Sequence, residues 1–135
     1  MKIVIIDGQG GRLGAALCEE LKRSLPTLEL YAIGTNSIAT AAMLKAGADF
    51  GATGENPVIV AARDADVIIG PIGILSADSL LGEVTPAMAV AVGQSAATKL
   101  LLPMNRCKNQ IVGAKPLSMT ELVLETRERL KALLP

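Results

Sequence analysis

The chain has 135 residues, and we expect it to form one ligand-binding domain over residues 1–135, because it is too short for separate cofactor and substrate domains. Its 13 basic and 13 acidic residues cancel, no block of like charge occurs, and Tyr31 and Phe50 are its only aromatic residues, which argues against a nucleic-acid-binding protein. Histidine is absent, which excludes Ser-His-Asp and Cys-His catalytic groups and histidine-bearing zinc sites. We assign no residue to a metal centre, and a metal ion at Asp7 stays an open alternative.

The distribution of apolar residues and cysteines bears on the compartment. No apolar run approaches the roughly 20 residues of a membrane-spanning helix, and Met1 leads directly into a strand pattern rather than a signal peptide. Cys18 lies in a helical pattern and Cys107 in a loop, without CxxC spacing, which fits a reducing environment. We expect a cytoplasmic protein that binds no membrane and holds Cys18 in its core.

Strand and helix patterns alternate along the chain. Lys2–Asp7 is a β-branched run that is apolar on both faces, as in a central parallel strand, and a helix follows from Arg12 to Leu25. The alternation predicts an α/β fold, a Rossmann-like, doubly wound, mainly parallel sheet flanked by helices. The further predicted strands are Leu28–Ile33, a weak one at Ala48–Ala52, Asp66–Gly70, Lys99–Met104 and Gln110–Ala114. The further predicted helices are Ser37–Ala46, one with Asn56 as cap and Pro57 in its first position, one capped by Thr85 and ending near Gln94, and a last one with a Ser118 and Glu121 capping box. A loop with one helical turn is predicted at Pro71–Glu83.

The segment Pro86–Ala97 has too few polar side chains for a helix with a solvent-facing side. Such a helix is either enclosed in the core or buried between subunits. We predict a homodimer that uses this segment as its contact.

The first strand runs into a glycine-rich turn that opens a helix. Glycines allow positive φ and close approach of a ligand, and free amides at a helix start favour an anion. The spacing is GxGxxxG rather than the dinucleotide fingerprint, because glycine is missing at Gln9 in one register and at Leu13 in the other. The alternative is that the glycines serve only the tight turn. The predicted ligand-binding residues of this turn are Gly8, Gln9, Gly10, Gly11, Arg12, Leu13 and Gly14.

Asp7 ends the first strand beside this predicted phosphate site, where a carboxylate would repel an anion. It is a weak catalytic candidate that suits a hydroxyl group or Mg²⁺ as its partner. The alternative is a structural residue whose carboxylate accepts hydrogen bonds from the neighbouring loop amides.

Other loops are expected at the same carboxyl edge of the sheet. The second strand is followed by Thr35, Asn36 and Ser37 instead of the acidic residue that holds an NAD ribose, and these residues either bind ribose or phosphate or cap the next helix. Cys107 is a second weak catalytic candidate, with a thiol pKa lowered by its neighbour Arg106. The remaining predicted ligand-binding residues are Gly70, Pro71, Gly73, Asn105 and Arg106, the last through its guanidinium group.

Five segments, IDGQGGRLG, IGTNSIATAAMLKAGAD, GATGENP, IIGPIGIL and PMNRC, resemble a family of short bacterial proteins classed as a domain of unknown function. The likeness covers nearly the whole chain. It implies a Rossmann-like cytoplasmic protein without an assigned activity, and it transfers no catalytic residue.

These features predict a protein that binds a nucleotide or another phosphate-bearing small molecule at the carboxyl edge of the sheet. The ligand would lie between the Gly8–Gly14 turn and the Gly70–Gly73 loop. If the protein is an enzyme, NAD or NADP is the first cofactor to test. The alternative is a non-catalytic sensor or assembly protein that uses the same fold for an effector or a partner, which the lack of histidine favours.

Overall fold

A computed structural model describes residues 1–104 and 108–135 of the chain. Five parallel strands form one sheet in the order β3-β2-β1-β4-β5, which confirms the predicted α/β fold and shows the strand order that the sequence left open. The chain builds outward from β1 to β3 and then returns to the other side of β1, so the order reverses between β1 and β4. The strands are β1 Ile3–Asp7, β2 Leu30–Gly34, β3 Phe50–Thr53, β4 Val67–Pro71 and β5 Thr98–Leu102.

Helices cover both faces of this sheet, as the apolar residues on both sides of β1 require. Ile3 and Ile5 point into one core, which holds buried residues of α1, α2 and α5, and Val4 and Ile6 point into a second core with α3 and α4. Cys18 is fully buried in the first core, as predicted. The helices are α1 Arg12–Ser24, α2 Ser37–Lys45, α3 Glu55–Asp64, α4 Pro86–Gln94 and α5 Met119–Leu133, with a short 3₁₀ turn at Ile72–Leu75 after β4.

The predicted helix starts agree with the structure at α4 and α5 and differ at α3. Thr85 caps α4, and Ser118 with Glu121 forms the capping box of α5. Helix α3 begins at Glu55 instead of at Pro57, because Gly54, at a φ of 103°, takes the capping position. Pro57 is therefore the third helical residue, where its missing N–H is still one that the helix leaves unpaired.

The predicted strand at Gln110–Ala114 is wrong. These residues form a turn and irregular backbone, with Gly113 at a φ of 86° and Val112 fully exposed. A strand segment needs a neighbouring strand and a buried face, and this segment has neither.

None of the helices in residues 1–104 and 108–135 has an apolar stretch of the length that spans a membrane.

Helix α4 lies against the sheet through one side only. Met88 and Val92 are buried in the second core, whereas Val90 is 53% exposed. The segment is therefore not enclosed on all sides, and its outer side consists of uncharged residues.

Candidate functional site

The carboxylate of Asp7 is built into the glycine turn. Its Oδ1 accepts a hydrogen bond of 2.8 Å from the amide of Gly8, and its Oδ2 accepts one of 2.7 Å from the amide of Gly14. Burial raises the pKa of the Asp7 carboxyl, the two amides oppose that shift, and the charge of Glu83 adds to it. Because both oxygens already accept backbone hydrogen bonds, the geometry is that of a residue that fixes the loop to α1, the alternative considered above for Asp7.

The glycines of the turn serve different purposes. A Cβ at Gly8 would lie 2.5 Å from the hydroxyl of Thr35, one at Gly14 would lie 2.5 Å from a methionine sulfur of α2, and Gly11 combines a φ of 71° with contact against the α2 backbone. These three positions exclude side chains because the protein itself fills the space. Gly10 differs, since it is exposed and a Cβ there would meet nothing closer than 4.0 Å.

Several backbone donors at the start of α1 are not used by the described part of the protein. The amide of its third residue, Gly14, is bound by Asp7, but the amides of Gly10, Arg12 and Leu13 have no acceptor among the residues that the structure describes. Arg12 is exposed beside them, and the first turn carries no acidic residue. By contrast, α2, α4 and α5 have side-chain caps from Asn36, Thr85 and Ser118.

A glutamate that the sequence analysis did not single out lies next to this turn. The Oε1 atom of Glu83 accepts three hydrogen bonds, from the amide of Gln9 at 2.8 Å and from the Thr35 hydroxyl and the Asn36 side-chain amide at 2.7 Å each. We call these four residues the Glu83 cluster. Burial raises the pKa of Glu83, but the three hydrogen bonds outweigh it and hold that pKa below its usual value, so the carboxylate is ionised at neutral pH.

The predicted residues after β2 fall partly within this cluster. Asn36 also caps α2 by accepting a hydrogen bond from the amide of Ala39 at 2.9 Å, so it serves the helix and the cluster together. Ser37 is exposed as the first residue of α2. Sequence reasoning missed Glu83 because it lies far along the chain from β1 and β2 and belongs to no recognisable motif.

Glu83 is positioned by an unusual turn of the β4–α4 loop. Leu80, Leu81 and Gly82 have φ values of 55°, 56° and 87°, and Asp78 also has a positive φ of 65°. Bulky residues rarely adopt this left-handed conformation, which costs about 1–2 kcal/mol each. The turn is closed by a hydrogen bond of 2.7 Å from the Asp78 amide to the Val84 carbonyl. Strain of this kind persists where the surrounding structure enforces it.

The end of β4 and the turn that follows it fill the point where the strand order reverses. Gly70, Pro71 and Gly73 are buried, and a Cβ on Gly70 would collide with the carbonyl oxygen of Ile6. The Gly73 carbonyl accepts a hydrogen bond from Ser79. These three predicted ligand residues therefore contact protein atoms and offer no surface to a ligand in this conformation. Three further candidates, Asn105, Arg106 and Cys107, lie outside the described residues.

A cleft of about 680 Å³ lies elsewhere, between β5, residues 111–117 and α5. It shares no lining residue with the glycine turn or the Glu83 cluster. Its lining combines apolar side chains such as Leu117 and Leu122 with the charged side chains of Lys99, Lys115, Glu125 and Arg129. In residues 1–104 and 108–135, no group of three or more Cys, Asp or Glu residues is placed to hold a metal ion.

Comparison with known proteins places the chain in a family. None of the curated proteins compared with it matches. Among solved structures, the "Crystal Structure of dodecameric FMN-dependent Ubix-like Decarboxylase from Escherichia coli O157:H7" is similar over 98% of this chain and 94% of that chain, with 16% sequence identity and a TM-score of 0.45. The family model described as "Domain of unknown function (DUF3842)" matches residues 2–134, and the chain therefore belongs to that family, in agreement with the resemblance of its motifs.

Proposed function

We propose that this protein binds a phosphate-bearing small molecule, in the first instance a nucleotide, at the start of α1. The observation that carries the proposal is the set of three amides, of Gly10, Arg12 and Leu13, that have no acceptor among the described residues. Amides at a helix start, together with the helix dipole, form a favourable environment for a phosphate.

Two further observations support this position. Gly10 leaves open space above the turn although neither its φ nor a protein neighbour requires a glycine there. The exposed Arg12 side chain adds a positive charge beside the amides and can bind a phosphate through two of its N–H groups.

The size of the ligand is restricted by the loop after β4. A dinucleotide such as NAD or NADP extends across the point where the strand order reverses, and here the buried side chains of Ile74 and Leu80 occupy that region. The proposed ligand is therefore a mononucleotide, or the nucleotide half of a dinucleotide whose other half stays outside the sheet edge.

The test is a thermal-shift series with ADP, NAD, NADP and pyrophosphate. A ligand at about 100 times its Kd stabilises the native state by about 2.7 kcal/mol, which raises Tm by several degrees for a domain of this size. Gly10→Val puts bulk beside the three amides, and we expect it to abolish the shift. Gly93→Val is the matched control, because Gly93 is also exposed with nothing near its Cβ position and lies in α4.

The proposal fails if none of the four ligands shifts Tm. It also fails if a folded Gly10→Val protein responds as strongly as the Gly93→Val control. In that case the ligand binds elsewhere on the molecule.

The second candidate is a non-catalytic sensor or assembly protein. One observation favours it, namely that the neighbouring helices α3 and α4 expose Val60 and Val90 by 46% and 53%. Burying such a surface against a second copy of the chain would give the homodimer predicted from the Pro86–Ala97 segment. The two candidates are compatible, since this surface lies on helices while the proposed ligand site lies at the sheet edge.

A further inference from the structure

The Glu83 cluster lies at the place where many nucleotide-binding sheets carry an acidic residue. Asp7 of β1 pairs with Gly34 of β2 in the parallel register, so Gly8 and Thr35 leave the sheet side by side. An acidic residue at the end of the second strand typically binds ribose hydroxyls in such folds. Here β2 ends at Gly34 and is followed by Thr35, whose hydroxyl donates a hydrogen bond to the carboxylate of Glu83.

The three hydrogen bonds leave one carboxylate oxygen available. They all end on Oε1 of Glu83, and no group among the described residues donates to Oε2. Glu83 is only half-buried, and its carboxylate contacts the turn itself through the amide of Gln9 at 2.8 Å, so we expect a ligand bound at the turn to lie near it. A carboxylate held by three donors keeps one orientation, and its second oxygen is a fixed acceptor for a hydroxyl group.

The electrostatics of the cluster determine which ligand group fits there. Glu83 carries a negative charge, and the buried Asp7 carboxyl lies close enough for that charge to affect its pKa. A phosphate at this point would be repelled, whereas a hydroxyl group that donates a hydrogen bond to a carboxylate is favoured. The neighbouring turn differs in its electrostatics, because Arg12 and the amides that have no acceptor among the described residues favour an anion.

From this arrangement we propose that Glu83 makes the site selective for a ribonucleotide, by accepting hydrogen bonds from the ribose cis-diol while the phosphate binds at the start of α1. The inference rests on the proposed function. Glu83, which lies 48 positions after Thr35 in the chain, supplies the carboxylate that is missing at the end of β2. A ligand with a 2′-phosphate is disfavoured, because that group would meet the Glu83 charge.

Equilibrium binding of three probes tests the inference. On the unmodified protein, we expect ADP to bind roughly tenfold or more tightly than 2′,3′-dideoxy-ADP, because a hydrogen bond to a charged group is at the strong end of its range. Pyrophosphate reports on the phosphate position alone. NAD is expected to bind more tightly than NADP, which carries the 2′-phosphate.

The variant Glu83→Gln then removes the charge. The glutamine oxygen keeps the three hydrogen bonds of the cluster, so we expect a folded protein. The preference for ADP over the dideoxy analogue should fall to about threefold or less, since a neutral hydrogen bond is weaker. The affinity for pyrophosphate should stay the same or rise. Thr35→Val, which removes one donor from Oε1, should lower the preference partly and leave pyrophosphate binding unchanged.

The outcomes separate the two proposals. If the unmodified protein binds ADP and dideoxy-ADP equally while pyrophosphate still binds, the role of Glu83 is overturned and the phosphate site remains. If Glu83→Gln keeps the full preference, the diol is recognised by another residue. If neither ADP nor pyrophosphate binds, the proposed function fails and the inference fails with it. The comparison of ADP with its dideoxy analogue needs no variant, so it stands even if Glu83→Gln does not fold.

Discussion

The Oδ2 atom of Asp7 accepts a hydrogen bond of 2.7 Å from the amide of Gly14, the third residue of α1. This contact ties the end of β1 to the first turn of the helix. The two preceding helical amides, of Arg12 and Leu13, have no acceptor among the described residues. The buried carboxylate therefore shapes the proposed phosphate site without being part of it.

Asp7→Asn should destabilise the protein by about 2 kcal/mol. The side-chain N–H₂ of asparagine would face the amide of either Gly8 or Gly14, so one of these two buried donors would lose its acceptor. A buried donor without an acceptor costs about 1–3 kcal/mol. The free energy of unfolding in urea measures the effect. Asp78→Asn is the matched control, because Asp78 is exposed and asparagine tolerates its positive φ. Equal stability of the two variants would contradict the structural role of Asp7.

Leu81→Gly should stabilise the protein by about 0.5–1 kcal/mol. Leucine at a φ of 56° carries the cost of the left-handed region, and at 96% exposure its side chain contributes no packing that glycine would lose. Urea denaturation measures the change. Gly82→Ala, at a φ of 87°, should shift stability in the opposite direction. A destabilised Leu81→Gly protein would show that the leucine side chain has a function in this turn.

The stability difference between the unmodified protein and Glu83→Gln should depend on pH. Burial raises the pKa of Glu83, but the three hydrogen bonds lower it further, so the ionised form stabilises the fold. That contribution is complete above the usual glutamate pKa of about 4.3 and is lost as the pH falls through the lower pKa of the folded state. Urea titrations between pH 7 and pH 3 should show the difference shrinking at the acidic end. A constant difference would mean that the charge of Glu83 contributes nothing.

Cys18 should not react with thiol reagents in the folded protein. Burial raises the pKa of its thiol to about 12, and the nearby Asp7 and Asp49 charges add to the shift, so the reactive thiolate is absent at neutral pH. The measurement uses Cys107→Ser, in which Cys18 is the one remaining cysteine, and follows labelling with Ellman's reagent. Labelling should appear only with urea. Rapid labelling in native buffer would show that the first core opens readily.

Val90→Glu should shift the protein from dimer to monomer while keeping it folded, because Val90 lies on the outer side of α4. Size-exclusion chromatography with light scattering measures the mass. Val92→Glu provides the contrast, since Val92 is fully buried and a charge there should unfold the domain instead. An unmodified protein that elutes as a monomer would rule out the proposed homodimer, and a Val90→Glu dimer would place its contact elsewhere.

Local features of the sequence were enough to predict most of the fold. Apolar periodicity and capping residues act over a few positions, so β1, one helical turn within the Pro71–Glu83 loop, the Thr85 cap of α4 and the capping box of α5 were all predictable. The wrong strand at Gln110–Ala114 has the same origin, because a short apolar pattern does not reveal whether a neighbouring strand is available. The start of α3 was misplaced because Gly54 takes the capping position through its positive φ, a choice that residue type alone does not signal.

The sequence predicted the glycine turn and the Thr35 and Asn36 side of the candidate site, but not Glu83. A motif whose residues are adjacent in the chain can be recognised without a structure, and a glycine pattern after a strand indicates an anion site. Glu83 could not be found in this way, because its position depends on a left-handed turn built from leucines and on hydrogen bonds to residues 47 to 74 positions away.

Apolar periodicity and motifs of adjacent residues were enough to predict the α/β class, the membership of the family and the place of the glycine turn. Three other features became visible only in three dimensions, namely the strand order, the burial of Gly70 and Gly73, and the pairing of Glu83 with Thr35. These depend on which distant segments pack together, since only the folded chain brings a carboxylate from one loop to the donors of two others.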